Sequence, residues 1–399
     1  MDEIVRLVAR RAREMTKRQV MMKAINGEIT WLQAADILDV TARHMRRMRR
    51  AMEIHGFGEL RDGEGTRAMR RKRIPVETIQ ELCRLKREVY YDFSIQHFWE
   101  QATEKHGLGI SYTWTRIVLQ EAGIVEKAPG RGKYRRRRER RPMVGMLVHL
   151  DASTHRWILD LDMQDLVVAL DDADGRMLYA RFVPQEGTAS TFEALEAVLR
   201  RYGRFCELYT DRGSHFCRTE TAGEAPAEEQ NGQVTQALRA LGIRQILARS
   251  PQARGRSERA FETIQGRLPQ LLRVNGITTY EAANRYLEQW DFIDDFNRRF
   301  TETPAQPESA FVPLTGIDLD LLLSIQHERV VRNDNTVTFN RMILQLPTTK
   351  ERMHFVRCPV LVHEFTNGNF GVSYQGRLLS RYDSHGGPLP AQPQRRKAA

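Results

Sequence analysis

Three acids in this chain are placed where side chains converge in an α/β protein. Asp151 closes the apolar run MVGMLVHLD, Asp211 closes CELYTD, and Glu258 opens a helix after the polar entry SPQARGRSER. Two carboxylates on neighbouring strands and a third on a helix offer an oxygen-only cage for one or two Mg²⁺ ions. Magnesium takes few carboxylates and leaves positions for phosphate oxygens. Ions about 3.5–4 Å apart would activate an attacking oxygen and stabilise a leaving one. The separations alone do not select this set, because a single Asp at a strand end is more often a turn or cap residue. Glu262 follows Glu258 by one helical turn and is a second candidate for the third ligand. Asp171, Asp172 and Asp174 read as hairpin-turn acids, and His215 reads either as a phosphate-facing group or as a structural histidine.

The elements that must hold these acids span residues 143–300. The runs MVGMLVHLD, LVVALDD and RMLYARFV have strand character, with the turn Asp172–Gly175 between the last two. A helix over Thr191–Tyr202, the strand CELYTD, a helix over Gln233–Leu241, the strand RQILA and an amphipathic helix over Ser257–Leu272 follow. Such an order predicts an α/β core with a mixed sheet. Residues 218–232, RTETAGEAPAEEQNG, are small, acidic and aperiodic, and read as a surface insertion.

The flanking regions point to a polyanion. The chain carries a formal net charge of +11, with six arginines between positions 135 and 141. Neutralising phosphates with counterion release is the natural use of such charge. Residues 1–70 are helical and basic. WLQAADIL is followed by a break at Asp39–Val40, Thr41 as a cap, and a second helix that sorts its residues by face. Met45, Met48 and Met52 fall on one side; Arg43, Arg46, Arg47 and Arg50 fall on another. This is the helix-turn-helix pattern, the alternative being a generic surface helix with a charged face. Residues 74–126 predict a second helical unit: Val76–Glu88, Ser94–His106 and Ser111–Ala122, capped by Ser94 and Ser111 and stopped by Gly107 and Gly123. Its last helix, with Tyr112, Trp114 and Arg116, reads as a second recognition helix or as core. Residues 127–142 are a basic linker containing Arg135, Arg136, Arg137 and Arg138, suited to a phosphate backbone. Residues 315–383 predict a small β-barrel or sandwich with a hairpin at Asn367–Gly368, and 384–399 a disordered tail.

The text around the three acids resembles the DDE transposases and retroviral integrases. The matching pieces are D-A-S-T from Asp151, T-D-R-G-S-H-F around Asp211, and S-P-x-x-x-G-x-x-E from Ser250 to Glu258. Arg212 stands where the family usually has Asn. The separation of Asp211 from Glu258 exceeds the common spacing, and the insertion at 218–232 accounts for most of the excess. Over residues 20–380 the chain looks most like insertion-sequence transposases of the ISNCY group. The resemblance implies a multidomain protein: helix-turn-helix DNA-binding domains, a ribonuclease H-like catalytic core and a small C-terminal β-barrel. It also implies Asp151, Asp211 and Glu258 as ligands of Mg²⁺ or Mn²⁺. The partner would be double-stranded DNA, both element ends and target, bound by a homo-oligomer. From their place around Glu258, Arg254, Arg256 and Arg259 read either as phosphate contacts or as a solvated helix start. The implied reaction frees a 3′-hydroxyl at each element end, which then attacks a target phosphodiester in line.

Other classes fit less well. The four cysteines lack C-x-x-C spacing, against a disulfide framework or a zinc site of ordinary spacing. No stretch reaches the roughly 18 apolar residues of a membrane span, and the N-terminus has no secretory pattern. The expected location is the bacterial cytoplasm, with nucleoid association. A catalytically inactive, transposase-like regulator is the alternative that keeps the charge and the helices without using the acids. A serine or tyrosine recombinase would need a nucleophile framed by basic residues, and none stands out.

Overall fold

The computed structural model describes residues 17–55, 74–126, 139–213, 216, 232–248, 255–289, 291–349 and 352–390. The chain divides into two compact units, Met1–Arg136 with Gly266–Gly276, and Arg137–Gln265 with Ile277–Ala399.

In the first unit, helix α1 (17–25) is followed by α2 (Trp31–Ile37) and α3 (Ala42–His55). A capping box starts α2: the Thr30 hydroxyl accepts the Gln33 N–H at 3.2 Å, and the Gln33 side chain accepts the Thr30 N–H at 2.8 Å. Asp39, in the left-handed region at φ 51, turns the chain, and Thr41 caps α3 by accepting the His44 N–H at 3.2 Å. Ala34 and Ala35 are small enough for α1, α2 and α3 to close over Val20, Ala24 and Met45. Met45 and Met52 are buried and Met48 half-buried, as the helix-face argument expects. Helices α4 (Val76–Glu88), α5 (Ile95–Glu104) and α6 (Tyr112–Glu121) follow. Ser94 and Ser111 cap α5 and α6, and Gly107 and Gly123 take left-handed φ just beyond them. The Lys86 ammonium is buried and donates to the carbonyls of Tyr90, Tyr91 and Phe93 at 2.8, 3.1 and 2.6 Å, which fixes the α4–α5 turn.

The second unit opens with β1 (Leu147–His155), β2 (Gln164–Asp171), β3 (Met177–Val183), α7 (Thr188–Tyr202), β4 (Glu207–Thr210), α8 (Gln233–Leu241) and β5 (Arg244–Leu247). The strands form one sheet in the order β3-β2-β1-β4-β5. β2 runs antiparallel to β1 and β3, while β1, β4 and β5 are parallel. This is the ribonuclease H-like α/β core. Its larger hydrophobic cluster joins Val148, Leu150, Ala169 and Leu208 to α7 and α8, so those helices cover one face. Helix α9 (Gly255–Gln265) packs against β1.

The expected single helix over 257–272 is instead two. α9 ends at Gln265, and α10 (Leu268–Val274) begins with Pro269 in its first turn. Proline removes an N–H and clashes with the preceding turn, so it starts a helix but does not continue one. α10 belongs to the first unit. There Arg267 makes a bidentate pair with buried Glu100 at 2.6 and 3.1 Å, and Arg273 pairs with Asp92 at 2.6 and 2.9 Å.

Helices α11 (Tyr280–Glu288) and α12 (Asp291–Phe300) return to the sheet and close its β3 edge. Asn284 accepts the Phe182 N–H and donates to the Phe182 carbonyl, at 2.8 and 2.9 Å. Asn297 does the same at Met177, at 2.7 and 2.9 Å. Two amide side chains thus replace a neighbouring strand and protect an edge that would otherwise pair with another chain. A strap then crosses at Phe311–Val312. Glycine is required beneath it: a Cβ on Gly145 would lie 2.7 Å from the Phe311 nitrogen, and one on Gly203 2.5 Å from the Val312 carbonyl.

After α13 (Leu319–Leu322) come β6 (Ile325–Val330), β7 (Thr336–Phe339), β8 (Met342–Gln345), β9 (Pro359–Glu364), β10 (Phe370–Tyr374), β11 (Arg377–Tyr382) and β12 (Pro388–Leu389). The expected barrel is not closed among the described residues. The sheet β12-β11-β10-β9-β6 is open, and the separate β7–β8 hairpin packs its Val337, Phe339 and Leu344 against Val360, Val362 and Val372. The run TVTFNRMILQL bends at Asn340 and Arg341, both in the left-handed region, which folds the hairpin onto the sheet face rather than extending it toward closure. Order also reaches into the expected tail, since β12 pairs with β11; residues 391–399 lie outside the described residues. No helix among the described residues is long and apolar enough to cross a membrane.

Candidate active site

Backbone register sets the first two acids. Asp151 does not end its strand as expected. It lies within β1, which runs on to His155 and pairs Asp151 with Val168 of β2. β1 and β4 pair in parallel with Val148 opposite Leu208 and His149 opposite Tyr209. Two residues further, the same register sets Asp151 opposite Asp211, the residue directly after β4. Side chains alternate along a strand, so both acids share the face of His149 and Tyr209, whose rings lie 5.0 Å apart. Leu147, Tyr209 and Ala248 form a small cluster at the base of that face. Asp151 accepts the N–H of Ala152 at 3.0 Å, and Asp211 accepts that of Gly213 at 2.8 Å.

Helix α9 brings the third acid to the same face. Ser257, Phe261 and Ile264 are its buried stripe. Glu258 and Gln265 are seven residues apart, hence on one flank of the helix, and Gln265 donates to the Ser153 hydroxyl of β1 at 3.0 Å. At the other end Arg256 reaches Asp172, which also accepts from His149. The helix therefore lies along β1 from His149 to Ser153. Nine helical residues rise about 13.5 Å, and four strand residues about 13 Å. Glu258 and Glu262 straddle the level of Asp151, both exposed. Among the described residues no three His, Cys, Asp or Glu side chains come together closely enough to hold a metal ion. What the fold supplies is a shared face and level, with donors that are all carboxylate oxygens, the kind magnesium takes.

Asp172 and Asp174 stand in the β2–β3 turn as read, with Asp171 at the end of β2, but the turn is not exposed. Asp171, Asp172 and Asp174 are all buried. Asp171 accepts the N–H groups of Gly145 and Ala173 at 2.7 and 2.8 Å. Burial pushes its carboxyl up to about 6, against those two hydrogen bonds and with help from the neighbouring Asp174 and Asp172. Asp172 accepts from His149 Nε2 at 2.8 Å, from the Arg141 N–H at 2.7 Å and from the Arg256 guanidinium. Burial pushes this carboxyl up too, but the hydrogen bonds from His149, Arg256 and Arg141 outweigh it and hold it well below the usual carboxylate range. The sequence signal was present in three acids beside the apolar run of β2, each needing partners once buried.

The arginines divide into two groups. Arg43, Arg46, Arg47 and Arg50 are exposed on α3, with Arg46 bonded to the Ala42 carbonyl at 3.3 Å and Arg47 to His44 at 3.2 Å. Arg49, on the same helix, is tied to Glu53 at 2.7 Å and lies 5.1 Å from the Trp31 ring centroid. On α6, Arg116 is exposed while Trp114 is half-buried. In the second unit three basic side chains near the candidate site pair with groups of the unit itself. Arg256 binds Asp172 and the Glu139 carbonyl, Arg140 binds Glu302 at 2.8 Å, and Arg141 binds Glu207 at 2.6 Å. Arg135, Arg136, Arg137, Arg138, Arg254 and His215 lie outside the described residues, as does the insertion through residue 231.

Among known proteins the chain is similar to two transposases. The chain is 30% identical over 377 residues to “Putative transposase y4bF” of Sinorhizobium fredii, covering 94% of this chain and 81% of that protein. It is 28% identical over 380 residues to the transposase for insertion sequence IS1202 of Streptococcus pneumoniae, covering 86% and 80%. Similar solved structures include the HTLV-2 integrase catalytic core domain in complex with magnesium, at 14% identity and a TM-score of 0.28, covering 36% of this chain and 83% of that one. Another is a chain of the simian T-cell lymphotropic virus intasome, at 13% identity and a TM-score of 0.33, covering 75% and 95%. No family model matches.

Proposed function

The chain belongs to the transposases of the DDE transposase and integrase superfamily, and from that premise we propose that it cuts DNA at the ends of its own element and joins them to a target. Asp151, Asp211 and Glu258 are the ligands of one or two Mg²⁺ or Mn²⁺ ions. The observation that supports this most is that β1, β4 and one flank of α9 carry these acids to a single face of the sheet. Three carboxylates resist close approach, and a cation between them offsets that repulsion. A bound divalent ion would polarise the scissile phosphodiester and lower the cost of an attacking oxyanion.

In the first step water attacks phosphorus, the bond from phosphorus to the element's 3′-oxygen breaks, and that oxygen leaves as a hydroxyl. In the second, the freed 3′-oxygen attacks a target phosphorus in line and displaces the target's own 3′-oxygen. No bond to the protein forms at either step. The exposed arginines of α3 hold the DNA by its phosphates and place that helix against base edges. The basic linker adds phosphate contacts. Because a transposition joins two ends, two or more copies act together on DNA.

The test is a supercoiled plasmid carrying the element ends, incubated with Mg²⁺ or Mn²⁺ and with wild type, D151N, D211N, E258Q or E262Q. DNA binding is followed in the same samples. Wild type should nick and join. D151N, D211N and E258Q should bind DNA with cleavage reduced on the order of a thousandfold, and E262Q should stay within a few-fold of wild type. Cleavage surviving in those three variants, or a covalent protein–DNA adduct, overturns the reading.

A further inference from the structure

Glu258 lies in the first turn of α9, so its position depends on what holds that turn to the sheet. The anchor is Asp172. Its carboxylate sits at the end of the β2 hairpin with its side chain fully buried, and it joins three separate parts of the unit. His149, two residues before Asp151 on the same face of β1, donates to it at 2.8 Å. Arg256, two residues before Glu258 on α9, pairs with the same oxygen. The Arg141 N–H takes the second oxygen at 2.7 Å, and the Arg256 guanidinium also donates to the Glu139 carbonyl at 2.6 Å. The Asp172 N–H, in turn, donates to the Leu147 carbonyl of β1 at 2.9 Å, so the clasp is rooted in the sheet.

We propose that Asp172 is a positioning residue for Glu258: through Arg256 it clamps the first turn of α9 to the strand that carries Asp151, and so sets the distance between the two acids. The inference rests on the metal-ligand reading of those acids. In this role Asp172 acts through Arg256 and not on the ion itself. A charged, doubly bonded carboxylate suits this role because a buried guanidinium–carboxylate pair fixes both direction and distance. Breaking one partner leaves the other buried and uncompensated. Arg256 is thereby assigned an internal partner in place of the phosphate that its sequence context suggested.

The test measures metal binding directly on the full chain without DNA, by calorimetric titration of Mn²⁺. D172N, R256A, the D172N/R256A double variant and E258Q are compared with wild type, and each is melted in metal-free buffer. D172N and R256A should each weaken Mn²⁺ binding about tenfold, and the double variant should be no weaker than the worse single variant, since both remove one clamp. E258Q should weaken it further. A purely structural role would lower the melting temperature while leaving Mn²⁺ affinity within twofold of wild type, and that result overturns the proposal. Multiplied effects in the double variant overturn it as well, because Asp172 would then act by another route. Should D172N fail to fold, R256A and the milder R256K carry the same test, and unchanged affinity in both is fatal to the clamp. If E258Q binds Mn²⁺ like wild type, the metal-ligand reading falls and takes this one with it. If E258Q is weakened while D172N and R256A are not, only the clamp is lost.

Discussion

Asp151 and Asp211 are held differently from Glu258. β1 is bonded on one side to β2 and on the other to β4, so the placement of Asp151 and Asp211 follows from a ladder of backbone hydrogen bonds. Glu258 rides on a helix attached to that sheet by side chains: the Ser257, Phe261 and Ile264 stripe, the Gln265 contact to Ser153, and the Arg256 pair with Asp172. A ladder resists any single side-chain change, whereas a helix on side-chain contacts can shift when one is lost. The proposed site thus combines two acids fixed by the fold with one whose position can be tuned.

The comparison breaks most visibly in the stripe. Ile264 is fully buried, so Ile264→Ala should cost about 2–4 kcal/mol of stability. Hydrogen exchange should speed up in residues 255–265 well before residues 147–153. Equal loss of protection in the two segments would mean that α9 and β1 open as one body.

The β-rich module sharpens the contrast, because it holds a buried polar group that titrates. His363 lies between the hydroxyls of Ser324 and Ser373, each at 2.7 Å. Burial, and next the charge of Arg381, pushes its pKa down to about 4 from an ordinary 6.5. A folded pKa below the unfolded one gives stability that is present above about pH 6.5 and lost as pH falls toward 4. That loss should be about 2–3 kcal/mol, and His363→Gln should flatten the melting curve over the same window. Asp172 has its pKa depressed below the ordinary 3.8, so its contribution should persist through that window and fail only at lower pH. A wild-type slope that survives in His363→Gln would locate the titration elsewhere. The smallest effect is expected at Gln265→Ala, about 1 kcal/mol for one lost hydrogen bond, read by chemical denaturation; no change would remove Gln265 as an anchor of α9.

Much of this architecture was legible because local chemistry and packing agree. Ser94, Ser111, Gly107 and Gly123 mark helix ends that the structure keeps, and the methionine and arginine faces of α3 sort as their spacing requires. Asp211 falls at a strand end and Glu258 in a first helical turn, as read. Other features were concealed by a competing pattern or set by contacts distant in sequence. The break at Pro269 had a local signal that the apolar periodicity of 257–272 concealed. The open sheet of the β-rich module depends on where the β7–β8 hairpin folds, which no single strand encodes. The burial of Asp172 needs His149, Arg141 and Arg256, drawn from three other segments, and none of them announces the others. Charge alone likewise did not separate the exposed arginines of α3 from Arg140, Arg141 and Arg256, which are committed to internal partners.

The most direct test of the central claim is a crystal of the full chain with element-end DNA grown in Mn²⁺, with anomalous differences measured at a wavelength where manganese scatters strongly. A peak about 2.1 Å from carboxylate oxygens of Asp151 and Asp211, with Glu258 completing the coordination of that ion or a second one, is the predicted result. An ion bound at Glu262 in place of Glu258, or manganese bound only away from this face of the sheet, would contradict it.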